Sequence, residues 1–118
     1  MKPVVVNGSN DRTVASHVRV ADSFFSRLRG LLGTAALPAG NALLLKPCNS
    51  VHTVGMRYPI DVVFLDRDAR VLKVVPSLPP WRSAGCSGSR MALELPAGTA
   101  TRTGIEPGYK LLVGEERV

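Results

Sequence analysis

Cysteine is scarce in this chain. Cys48 and Cys86 are the only two in 118 residues, so at most one bridge could form, and no disulfide framework of the small secreted kind is available. A Cys48–Cys86 bridge would add about 4 kcal/mol on a chain-entropy estimate; in a reducing compartment two free thiols are expected instead. Long apolar runs are also missing at the start. Met1-Lys2-Pro3-Val4-Val5-Val6-Asn7 holds three consecutive aliphatics, too few for a signal-peptide core or a membrane span, and a cytoplasmic protein without a membrane span is expected. Aromatics number six, three Phe, two Tyr and one Trp, which leaves few platforms for stacking nucleic-acid bases. Runs of like charge are absent too. The net charge of +6 and pI near 10.0 suggest an anionic partner, but the basic residues are spread singly from Lys2 to Arg117, with Arg27 and Arg29 the densest group. That scatter weighs against nucleic acid and in favour of a solvated positive surface.

What is present is ordinary globular material. Apolar residues make up 45% and charged residues 20%, and the length suits one core, so residues 1–118 are expected to form a single domain that folds without metals or disulfides. Residues 13–20 alternate loosely, with Val14, Val18 and Val20 on one side, as a half-buried strand would; His17 falls with Arg19 on the exposed side. A helix is expected over 22–33. Asp22 or Ser23 can cap it, Phe24, Leu28 and Leu31 recur at helical spacing, and Gly33 can take the left-handed stop. Residues 42–46 read as a short buried strand.

The strongest signal is a hairpin. Ile60 to Leu65 and Val71 to Val75 are β-rich runs separated by Asp66-Arg67-Asp68-Ala69-Arg70, with Pro76 expected to end the second strand. Residues 76–89 read as a long loop carrying Trp81, the only tryptophan. Met91, Leu93 and Leu95 alternate inward along a further strand, one helical turn is expected before Gly104, and Lys110 to Val113 close the fold. The sum is a mainly β (α+β) domain: a single barrel-like antiparallel or mixed sheet of six or seven short strands, with one or two short helices at its side.

Reactive side chains gather between Pro47 and Asp61. This stretch, the hairpin after it, the Leu93-Glu94-Leu95-Pro96-Ala97-Gly98-Thr99-Ala100 segment and Gly104-Ile105-Glu106-Pro107-Gly108 together resemble the domain-of-unknown-function family 192, over about residues 13–114. The resemblance implies a β-barrel-like sheet with one or two helices and implies no activity. This chain departs from the family pattern at three places. His52-Thr53-Val54-Gly55-Met56-Arg57 stands where many members resemble Phe-Trp-Met-Lys-Asn-Thr, Ala69 stands where Gly is usual, and Tyr109 where an acid is common. A left-handed Ala69 would cost on the order of 1 kcal/mol.

Three chemistries compete. Cys48, His52 and Asp61 supply the thiol, base and orienting acid of a thiol enzyme. Cys48 and His52 joined by Cys86 or His17 would make a metal site, but zinc sites usually show two close ligand pairs, so no metal and no cofactor is expected. For Asp61 the structural reading is preferred, in which its carboxylate accepts backbone N–H groups and holds the preceding loop. The reading that asks least is a binding module. Loops 47–59 and 76–89 flank one hairpin and present His52, Met56, Arg57, Tyr58, Trp81 and Arg82, a set suited to a small anionic or peptide ligand.

Overall fold

The computed structural model describes residues 3–23, 27, 30, 31 and 33–115. Its centre is a five-stranded sheet in the order β3 (His17–Ala21), β4 (Asn41–Leu45), β9 (Met91–Pro96), β6 (Ile60–Leu65), β7 (Val71–Leu78). Only β3 and β4 run parallel; the other neighbours are antiparallel. A second sheet pairs β10 (Leu111–Glu115), β1 (Pro3–Asn7) and β2 (Arg12–Ala15), and a short third ladder joins β5 (Ser50–His52) to β8 (Ser83–Gly85). The mainly β class is as the sequence implies. Helix α1 spans Thr99–Arg102, and Arg27 is also helical.

The first two sheets curl toward one another. Val71 N–H donates to Tyr109 O at 2.7 Å and Leu111 N–H to Ala69 O at 2.9 Å, so the start of β7 meets the start of β10. Inside that curve Val5, Val14, Leu44, Val63, Leu93 and Leu111 form one core. A second core covers the outer face of the central sheet, where Leu43, Leu45, Ile60, Val62 and Phe64 meet Val51, Met56 and Leu78. Strands β4, β6 and β9 are therefore buried on both faces, which is why they read as near-continuous apolar runs and not as clean alternation. Each large aliphatic so buried contributes on the order of 1.5–3 kcal/mol.

Several local expectations change on folding. Residues 13–20 do not form one strand: the chain bends at Ser16, whose N–H donates to Gly40 O at 2.9 Å, and β2 and β3 enter different sheets. Pro76 does not end its strand. β7 runs on to Leu78, because β7 is an edge strand where a missing N–H costs little, and the register shifts between Ile60 and Val62 accommodate it. Half of the helix expected over 22–33, Phe24, Leu28 and Arg29 included, lies outside the described residues. Within it Arg27 N–H donates to Ser23 O at 3.0 Å, and Gly33 has φ +82°. Residues 47–59 and 76–89 are not pure loop, since each contributes a strand to the β5–β8 ladder.

Candidate functional site

Thr53 joins the two loops. It is fully buried just past the end of β5. Its N–H donates to Arg82 O at 2.7 Å, its hydroxyl donates to Pro79 O at 2.6 Å and accepts Arg82 N–H at 2.9 Å, and its carbonyl accepts Trp81 N–H at 2.9 Å. One side chain and its backbone thus satisfy three residues of the turn at 79–82, and the β5–β8 ladder continues the same pairing through His52 opposite Ser83. The sequence reading overlooked Thr53 because a threonine between His52 and Val54, two residues before Gly55, looks like ordinary loop.

Trp81 stands on this pinned turn. Its backbone has φ +62° and its residue surface is 64% exposed. A left-handed conformation costs a bulky L-residue about 1–2 kcal/mol, and an exposed indole recovers little of that by burial. On the paired strand, opposite Ser83, His52 is exposed, with Nδ1 accepting Val54 N–H at 3.3 Å, and Arg82 is exposed, its guanidinium donating to Trp81 O at 3.2 Å. Val54, next after Thr53, is 46% exposed.

The other three residues expected at a ligand site point elsewhere. Met56 is buried in the outer core. Half-buried Tyr58 holds its hydroxyl 2.6 Å from Thr34 Oγ1. Arg57 is exposed and lines a separate cleft of about 170 Å³ with Gly33, Thr34 and Gly55.

Cys48, His52 and Asp61 share no hydrogen bond among the described residues. Asp61 faces the inner core, fully buried, where Oδ1 accepts Ser77 N–H and Oδ2 accepts Ala100 N–H, each at 2.8 Å. Cys48 packs against the outer core, on the opposite face of the sheet, and its thiol donates to Ser50 O at 3.1 Å. Burial, reinforced by the charge of Glu94, pushes that thiol above its ordinary range. Cys86 is a half-buried free thiol near the same core. His17 is exposed, its Nδ1 lying 3.1 Å from Ser16 Oγ. Among the described residues no three His, Cys, Asp or Glu side chains gather where one metal ion could sit, and no helix is long and apolar enough to cross a membrane.

A second feature escaped the sequence reading. Glu94 lies on β9 in a row running Arg19, Leu43, Glu94, Val62 across four strands. It is 4% exposed and its Oε1 has no hydrogen-bond partner among the described residues. Burial pushes its carboxyl up to about 7, against a smaller opposing pull from Arg19. Its only sequence signal is an acid between Leu93 and Leu95, and alternation alone assigns it to a solvent face.

Known proteins share this fold. A Novosphingobium aromaticivorans DSM 12444 protein of unknown function superposes with a TM-score of 0.80 at 21% identity, covering 93% of this chain and 82% of that one. A Sinorhizobium meliloti 1021 protein described as a candidate transcription regulator also gives 0.80 at 21% identity, covering 94% and 91%. At that identity the likeness is one of fold. In sequence, a UPF0127 protein of Thermococcus sibiricus is 29% identical over 121 residues, covering 97% of this chain and 78% of the relative. A UPF0127 protein of Pyrococcus horikoshii is 36% identical over 84 residues, covering 67% and 70%. The pattern of the family described as DUF192, Uncharacterized ACR, matches residues 5–113, and the chain belongs to that family.

Proposed function

We propose that this protein is a binding module whose contact surface is Trp81 with His52 and Arg82, and that its ligand is a peptide bearing a carboxylate. The observation that carries the reading is the cost of Trp81. An indole held 64% exposed on a left-handed backbone is unfavourable for folding on both counts, and such strain persists where a surface has been kept for contact. A rigid aromatic with few rotatable bonds is an efficient contact residue, and Arg82 and His52 supply cationic donors to a carboxylate. Thiol chemistry at Cys48, the alternative, draws no support from a sulfhydryl that donates to Ser50 O and is raised by burial.

Trp81 is the only tryptophan, so its fluorescence reports this surface alone. A random dodecapeptide library is selected on the wild-type protein and counter-selected on Trp81→Gly, and enriched peptides are titrated while the emission is followed. Peptides rich in Asp or Glu that shift the emission and lose affinity at least about tenfold, ~1.4 kcal/mol, in Arg82→Ala support the reading. Enrichment indifferent to Trp81 would overturn it.

A further inference from the structure

We infer that the outward edge of β10 is a docking site for an extended acidic segment of a partner protein. It lies at the 66–70 end of the β6–β7 hairpin, away from the Trp81 turn, and stands independently of it. Two adjoining grooves, of about 470 and 530 Å³, share Lys46, Arg67 and Met91 as walls. Lys110 extends the first and Arg90 the second, so four cations face two carboxylates, Asp22 and Asp68. The positive charge that looks scattered along the chain converges here.

The floor and the edge decide what fits. Among the described residues the one strand that β10 pairs with is β1, and on its other side it is bridged only at its start, by Arg70 and Ala69. Gly8 N–H donates to Lys110 O, and Val6 and Val4 oppose Leu112 and Gly114, so the even-numbered residues turn their backbone groups to β1. Odd-numbered residues turn theirs outward. Leu111 uses this direction to reach Ala69 O, and the next such residue, Val113, has no strand beside it among the described residues. Val113 is 37% exposed and Leu112 52%. An unpaired edge with apolar side chains beside it is a template for strand addition. Cations around the groove select an acidic strand and oppose a second copy of this chain, which carries +6. The apolar strand and its free backbone groups favour a peptide over a phosphate backbone.

A fluorescently labelled octapeptide alternating Glu and Val serves as probe, followed by anisotropy at low ionic strength. Val113→Pro removes the outward N–H without touching the β1 ladder, a substitution edge strands tolerate; the paired variant Lys46→Glu/Lys110→Glu reverses charge and leaves the backbone intact. The expected result is saturable binding weakened about tenfold or more by each variant, ~1.4 kcal/mol apiece, and no binding of the octapeptide alternating Lys and Val. Failure of the acidic peptide to bind would overturn the inference, as would binding that both variants leave unchanged. Tighter binding of an oligothymidylate would assign the groove to nucleic acid, and edge-to-edge dimers in sedimentation abolished by Val113→Pro would assign it to self-association; either overturns the acidic-peptide docking site.

Discussion

Asp61 on β6 accepts the backbone N–H of Ala100, 39 residues further along the chain, at 2.8 Å, and so holds the first turn of α1 against the central sheet. Gly98, ahead of that turn, brings no side chain to cap it. The other oxygen of Asp61 accepts the N–H of Ser77, the residue after Pro76 on β7, which has φ +48°. Truncating Asp61→Ala would leave the buried Ala100 N–H and the part-buried Ser77 N–H without their acceptor and is expected to cost roughly 2–4 kcal/mol. Urea unfolding measures this directly, and a loss below about 1 kcal/mol would show that water replaces the carboxylate.

Glu94 makes stability depend on pH. Below pH 4.5 its carboxyl is protonated in both folded and unfolded chains. Between 4.5 and about 7 the unfolded chain ionises while the buried acid does not, so stability falls as pH rises through this window and then levels off. A rise of that size corresponds to about 3 kcal/mol. Unfolding free energies at pH 5 and pH 8 should therefore differ by that order in the wild type, and the difference should shrink sharply in Glu94→Gln. An unchanged slope in the variant would place the dependence elsewhere.

Ala69 and Trp81 share φ +62° but differ in surroundings. Ala69 sits in the hairpin turn, its N–H donating to Asp66 O at 3.0 Å. Replacing either residue with glycine relieves the left-handed strain, and each variant is expected to gain on the order of 1 kcal/mol in denaturant unfolding. Only Trp81→Gly should lose peptide binding. A Trp81→Gly variant that is markedly less stable would mean the indole packs for stability and not for contact.

Cys48 should react slowly with alkylating agents. Its thiol is raised by burial, and since the thiolate is the reactive species, the rate should keep climbing at pH values above the ordinary thiol range. Measured in a Cys86→Ser background, the profile should be the same with His52→Ala, because His52 directs Nδ1 to the Val54 N–H. A reactive thiolate near neutral pH that disappears with His52 would return thiol chemistry to first place.

The sequence alone determined what depends on neighbours along the chain: the β6–β7 hairpin about its 66–70 turn, the helical turn before Gly104, the strand with Met91, Leu93 and Leu95 on the inner core, and the family. Such features follow from local propensity and from periods of two. Tertiary structure decided which faces are covered. Period-two alternation locates one buried face and is silent about the other, so nothing along the chain shows that the face carrying Glu94, in register with Leu43 and Val62, is covered by a core that includes Val51 and Met56. For the same reason Met56, Tyr58 and Trp81 looked equivalent in sequence, yet one fills the core, one bonds Thr34 and one stands in solvent. The partners of Asp61 and Thr53 lie 16 to 39 residues away, and only the closed fold brings those backbone groups within 3 Å of their side chains.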